Sequence, residues 1–276
     1  MTERQLKTGL QWAGAVMLLS FCLFPFGWML LVAFSRQPDF LLPGVAYDFT
    51  LGNLIDVVTD DSLHVLAYLR NSLVISATAA LLSTLAAGLA AYAISRMRFP
   101  GRILIPMVVL AFSMFPQISI IGYLFKLMAG LGWINTYAAL IFPYTTLGTP
   151  LALWIMLSYF AQIPIDLDRA ALVDGASRLQ ILFRVIFPLA APGALSTALL
   201  VFIYSFNEFL FALMLTTDYQ ARTIPVGIAL FEGLHGQLPW GHLMAIAAVA
   251  VVPVVLLTAL FQRRIVQGLV QGAVKG

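Results

Sequence analysis

Residues 168–193 read DRAALVDGASRLQILFRVIFPLAAPG, a polar, glycine-punctuated segment between two long apolar runs. Overlapping its start, IPIDLD at 163–168 carries Pro164, which opens a helix, and Asp166 or Asp168, either of which suits an N-cap; Ala170, Ala171, Leu172 and Val173 continue it and Gly175 stops it. That is a helix of about two turns. Ser177 stands three residues before Gln180, a capping-box pattern, so a second helix is predicted from Arg178 to Phe187, ending at Pro188. A helix this short is marginal in water and must be held by packing. Two readings stay open on these residues. The slim alanine face fits a groove in another protein, with Asp168, Arg169 and Asp174 at its edges, or the segment lies on a membrane with Phe183, Val185, Ile186 and Phe187 on lipid.

The rest of the chain explains why a membrane enters the argument. Of 276 residues, 61% are hydrophobic and 10% charged, with a mean hydropathy of +0.96, well beyond a soluble domain. A spanning helix needs about 20 apolar residues. Six such runs are present, at 12–34, 71–95, 103–125, 138–160, 193–215 and 242–261. They are too long and too little alternating for barrel strands. The predicted fold is an all-α integral membrane protein, a single domain over 1–276, with a helix-turn-helix loop at 161–192 between spans four and five.

Lys and Arg gather on one side: Arg4, Lys7, Arg96, Arg98, Arg102, Arg169, Arg178, Arg184, Arg263, Arg264 and Lys275. The other side holds Arg36, Arg70, Lys126 and Arg222 with most of the aspartates. The positive-inside bias puts both termini in the cytoplasm. The net charge of +3 reflects this topology; no basic cluster has interleaved aromatics, which speaks against nucleic acid as a partner. The first run is long, contains Pro25 and lacks a small-residue cleavage pattern, so it reads as a retained helix rather than a signal peptide. The single cysteine, Cys22, lies in that run, has no internal disulfide partner and reads as a buried apolar residue.

Several smaller features bear on function. The outer stretch 216–242 mixes Gly and Pro with apolar residues, as a segment does that folds back on the bundle. STLAAGLAAYA at 83–93 has the small-residue texture of close helix packing. Glu208 is the one carboxylate well inside an apolar run, so it should face the interior and find a partner. With Asn207, Tyr204, Tyr144 and Tyr123 it makes a candidate set for a solute path, aromatic platforms and polar groups together. His64, His235 and His242 are not spaced as ligands, so no metal site is expected.

The segment Ala170, Ala171, two residues, Asp174, Gly175, Ala176, then Val185, Phe187 and Pro188 resembles the cytoplasmic E-A-A-x-x-D-G-A loop of permease subunits of ABC importers. YLRNSLVISATAALLSTLAAGLAAYAISRMRFPGR, LGWINTYAALIFPY, FNEFLFALML and QRRIVQGLVQGAVKG are similar to the carbohydrate-importing, maltose-type branch, and together they extend the resemblance over nearly the whole chain. Arg169 stands where that family usually has Glu, with Asp168 before it to favour the helix dipole. The resemblance implies an inner-membrane permease of a bacterial-type cell, coupled through Asp168, Arg169, Ala170, Ala171, Asp174, Gly175 and Ala176 to cytoplasmic ATPases. It also implies the partners: a second homologous permease, two ATP-binding subunits, an extracytoplasmic solute-binding protein and membrane lipid. ATP and Mg belong to the ATP-binding subunits, since no G-x-x-x-x-G-K-[ST] phosphate loop is present and this chain is expected to bind no cofactor and to be no enzyme itself. The solute implied is a sugar or glycoside, from monosaccharides to trehalose or maltose. An ion-coupled secondary transporter is the rival, but it calls for repeat-related midplane acids, and Glu208 has no counterpart in the first half.

Overall fold

A computed structural model describes residues 3–36, 47–231 and 239–273. Asp39, Glu232, His235 and Lys275 lie outside the described residues. The helices are α1 (Glu3–Ala33), α2 (Gly52–Thr59), α3 (Val65–Arg96), α4 (Leu104–Ser113), α5 (Ile118–Gly130), α6 (Tyr137–Gln162), α7 (Ile165–Val173) and α8 (Arg178–Ile181). A π-turn at Leu182–Ile186 leads into α9 (Phe187–Phe206), followed by α10 (Leu210–Leu215), α11 (Ile224–Ala229) and α12 (Trp240–Ala273). Among the described residues, five helical stretches are long and apolar enough to cross a membrane, and a sixth span results if α4 and α5 count as one.

The all-helical, six-span expectation therefore holds, with two corrections. The third span is not continuous: α4 and α5 meet at 92°. Pro116 sits in the break, where it has no N–H to donate and forces the chain out of the helix. The fifth span begins fifteen residues before the predicted Gly193, because α8, the π-turn and α9 run on as one stretch from Arg178 to Phe206, and it stops at Asn207. Pro188 does not end the second hairpin helix. It falls at the start of α9, directly after the π-turn, and the helical stretch continues through it.

The chain divides into two compact units, residues 1–66 with 228–252, and residues 67–227 with 253–276. In the first, Arg36 N–H donates to Asp48 O at 2.9 Å and Thr50 N–H to Phe34 O at 2.8 Å, and the Phe34 and Phe49 rings stack. Asn53 ties α2 to the end of α1 by donating from Nδ2 to the carbonyls of Ala33 and Ser35. Asp60 caps a short 3-10 turn by accepting from Ser62 N–H, and the Ser62 hydroxyl foremost, then that N–H, hold its carboxyl below the usual value. Cys22 is exposed on α1, contrary to expectation, because α1 turns its apolar surface outward, as a hydrocarbon-facing helix does.

In the second unit α6 packs along α9, α4 against α6, and α10 against α5 and α6. Ile75, Met128, Leu140, Tyr144, Phe211 and Leu215 are fully buried at their junction. Gly88 of the small-residue stretch lets Phe187 and Met156 come within van der Waals reach of α3. Ser83 bridges α3 to α6 by donating to Thr145 O at 2.9 Å, near the helix-interior Pro150.

Candidate functional site

The segment between α6 and α9 folds as a helical hairpin. Pro164, in extended conformation, is the N-cap of α7 and has no side-chain cap; Asp166 and Asp168 fall inside the first turns instead of capping them. A carboxylate there still meets the positive end of the helix. α7 closes with a Schellman motif: Ala176 N–H donates to Ala171 O at 3.0 Å and Gly175 N–H to Leu172 O at 3.1 Å. Gly175 has φ +81°, a conformation that a side chain resists, and nothing lies within 4 Å of where a Cβ would be. The turn is thus required by the backbone and not by crowding. Ser177 then caps α8, accepting from Gln180 N–H while Gln180 Oε1 accepts from Ser177 N–H at 2.8 Å.

The side chains of the hairpin separate onto two faces. Ala170, Val173 and Asp174 are exposed, Val173 at 87%, and Arg169 lies on the surface 3.0 Å from Asp166. Ala171 and Ala176 are half-buried. Asp168 departs from the expected edge position: it is 2% exposed, and Arg96 Nε, at the end of α3, stands 3.3 Å from its Oδ2. Arg96 also donates to Ile163 O at 2.6 Å. Sequence alone gave no signal for this partner, since 72 positions separate Arg96 from Asp168 and nothing local joins them.

A second polar cluster lies within the bundle. Glu208, 8% exposed, sits in the break after α9, and its carboxylate accepts from Phe211 N–H at 2.9 Å and Ala212 N–H at 3.2 Å. Those N–H groups open α10 and have no intrahelical acceptor, so Glu208 both breaks the span and satisfies the break. Tyr144, fully buried on α6, lies beside Glu208, and Tyr204 is near the same carboxylate. Gln117, at the bend between α4 and α5, donates from Nε2 to the Tyr204 hydroxyl at 2.7 Å. Gln117, Tyr204, Thr146, Trp154 and Phe112 line a largely apolar cleft of about 840 Å³. Two of the predicted set stand apart: Asn207 is exposed and donates to Ile203 O of its own helix, and Tyr123 is 75% exposed and does not line the cleft. Gln117 and Trp154 were missed; an amide beside Pro116 in the middle of an apolar run was the available signal.

The stretch 216–224 folds back onto the ends of α3 and α6, and side-chain amides hold it there. Asn71 donates to Tyr219 O and Arg222 O, both at 2.9 Å, and accepts from the Tyr137 hydroxyl. Asn135, at φ +61°, donates to Asp218 Oδ1 at 2.8 Å and accepts from Thr217 and Asp218 N–H. The Asn135 amide foremost, then Gln220 N–H, hold the Asp218 carboxyl below its usual value. Of the two described histidines, His64 adopts a left-handed turn ahead of α3, and His242 Nε2 lies 3.3 Å from Asp56.

Comparison with known proteins fits this architecture. The chain is 54% identical, over all of both sequences, to the trehalose/maltose transport system permease protein MalG of Thermococcus litoralis. It is 42% identical to the trehalose transport system permease protein SugB of Mycobacterium tuberculosis, covering 75% of this chain and 76% of that one. A chain in the crystal structure of a bacterial ABC transporter involved in the import of the acidic polysaccharide alginate superposes with a TM-score of 0.76 at 20% identity, over 95% of this chain and 98% of that one, so the likeness there is one of fold. Residues 80–271 match the model of a transport family, and on these grounds the chain belongs to the binding-protein-dependent transport system inner membrane components.

Proposed function

We propose that this chain is the permease subunit of an ABC importer for a sugar or glycoside, with a disaccharide of the trehalose or maltose type as the first candidate. The observation that carries the reading is the doubly capped hairpin: α7, closed at Gly175 and followed by the Ser177 capping box, presents Ala170, Val173 and Asp174 outward on a stiff two-helix projection. Such a projection, in a chain of this family, serves to dock a cytoplasmic ATP-hydrolysing subunit through the exposed Ala170, Val173 and Asp174. Two ATP-binding subunits, carrying ATP and Mg, a second homologous permease and an extracytoplasmic solute-binding protein complete the assembly. Both termini face the cytoplasm, following the distribution of Lys and Arg. Solute passes along the cleft lined by Gln117, Tyr204 and Trp154, with the partner permease closing its open side.

An ion-coupled secondary transporter is disfavoured by one feature. Glu208, the carboxylate such a mechanism would use, has each oxygen committed to a backbone N–H of α10. Purification of the native complex in mild detergent, followed by uptake of labelled trehalose and maltose in proteoliposomes, separates the two. The importer reading requires a co-purifying ATPase, the solute-binding protein and ATP inside the vesicle compartment facing the hairpin. Uptake driven by a proton or sodium gradient alone would defeat it.

A further inference from the structure

We propose that Arg96 and Asp168 form a positioning pair that joins α7 to the end of α3 as one rigid body, so that a displacement imposed on α7 reaches a membrane-spanning helix. This rests on the reading of α7 as the ATPase-docking helix.

α7 has weak covalent support. It is nine residues long and is joined to α6 through Ile163 and Pro164, both extended, and to α8 through the turn at 174–177. A helix on two such joints would pivot under load unless a third attachment fixed it. The Arg96 guanidinium supplies that attachment: Nε stands 3.3 Å from Asp168 Oδ2 in the first turns of α7, and Nη2 donates at 2.6 Å to the carbonyl of Ile163, the C-cap of α6. One planar fork, almost fully buried, thus ties the ends of α3 and α6 to the start of α7. Tyr92, one turn back on α3 and buried, neighbours both Asp168 and Arg178, which brings α8 into the same contact.

The placement also suits load transfer. At about 100° per residue, Ala170 and Val173 lie across the helix from Asp168, so the outward face stays free while the opposite edge is anchored. Arg169 does not share the task, being turned outward to Asp166. Arg96 ends α3 and Asp168 stands near the start of α7, so each charge has the sign its helix dipole favours. Removal of one partner leaves the other buried and uncompensated, whereas apolar side chains in place of both can preserve packing without the ionic tie.

The test uses the complete transporter in proteoliposomes, with Asp168→Asn, the double variant Arg96→Met with Asp168→Leu, and the conservative Arg96→Lys. Three quantities are read: ATPase retained on purification, solute moved per ATP hydrolysed, and a spin-label distance between Ile165→Cys on α7 and Leu89→Cys on α3 in a Cys22→Ser background, with and without trapped ATP. The expected result is that the first two variants retain the ATPase while solute per ATP falls about tenfold, and that Arg96→Lys, which keeps the charge without the two-way fork, falls between them and the native chain. In the otherwise native chain the label distance is the same in both nucleotide states, and with Asp168→Asn it becomes state-dependent. A double variant with undiminished solute per ATP overturns the proposal and leaves the docking reading standing. So does a native label distance that changes with ATP, a result independent of how any variant folds. Failure of any ATPase to co-purify with the native chain removes the docking reading and the pair's role with it.

Discussion

Replacement of Glu208 is the sharpest test of how the fifth span is built. Its two carboxylate oxygens accept from Phe211 N–H at 2.9 Å and Ala212 N–H at 3.2 Å in a setting where the residue is 8% exposed. Each backbone N–H left without an acceptor away from water costs about 1–3 kcal/mol, so Glu208→Leu should destabilise the folded chain by roughly 2–6 kcal/mol. Glu208→Gln keeps one acceptor oxygen and sets an amide NH2 where the other oxygen was, so about half of that loss is expected, roughly 1–3 kcal/mol. Neighbouring Asn207 is the control, since its side chain is exposed and bonds only to Ile203 O within α9; Asn207→Ala should stay within about 1 kcal/mol. Reversible unfolding in mixed dodecyl maltoside and SDS micelles, followed by tryptophan fluorescence, gives the ranking. Equal stability of native chain and Glu208→Leu would show that the carboxylate does not hold α10, and a loss at Asn207→Ala matching that at Glu208→Leu would show that the break tolerates no change of any kind.

Three further outcomes follow from the hairpin and the outer stretch. Gly175→Val should strain the turn at φ +81° by about 1–3 kcal/mol without any clash, and should lower solute moved per ATP while insertion is normal; Gly175→Asn should be milder, and equal behaviour of the two in uptake assays would contradict the backbone account. Arg169→Glu removes one exposed pair with Asp166, so transport and stability should change little, within about 0.5 kcal/mol, and a large loss of uptake would give Arg169 a contact that the isolated chain does not reveal. Asp218 has a folded-state pKa below its ordinary value of 3.8, so its contribution is present above that value and is lost as pH falls through the lower, folded one. Protection of the Thr217 and Gln220 amides from hydrogen exchange should therefore fall in acid, and Asp218→Asn should remove that pH dependence; protection that Asp218→Asn leaves unchanged at every pH would refute this account.

How far these features were legible in the sequence depends on the range of the interaction that produces them. The hairpin was readable because its determinants are local: Gly175 and the Ser177–Gln180 box each act within four residues, and the backbone adopts what they dictate. Spans were readable from length and apolarity, which report the solvent and not the tertiary contacts. Their interruptions were less so. Pro116 was visible within the third run, yet prolines at 143, 150, 192 and 253 sit inside helices that continue through them, so proline by itself does not announce a 92° bend. The second interruption was hidden in a different way, because Glu208 was noticed as an acid needing a partner and the partner proved to be the backbone of its own broken helix.

Asp168 marks the limit of local reasoning. Taken by itself, an aspartate near the start of a short amphipathic helix fits an N-cap or a docking edge equally well, and both assignments follow from propensity. What excludes them is a guanidinium that arrives from the end of another helix, 72 positions earlier, together with a proline that already occupies the cap. The same geometry leaves Arg169 free beside it, at the position where the resembling loop motif has Glu. With the inward charge supplied by Asp168 and neutralised by Arg96, the next position is free to face outward, and its side chain pairs with Asp166 on the surface. A purely docking role for the family's acidic residue would make Arg169→Glu a gain in ATPase affinity. On the anchoring account the two chains should bind the ATPase alike, and only changes at Arg96 or Asp168 should alter how much solute each ATP moves.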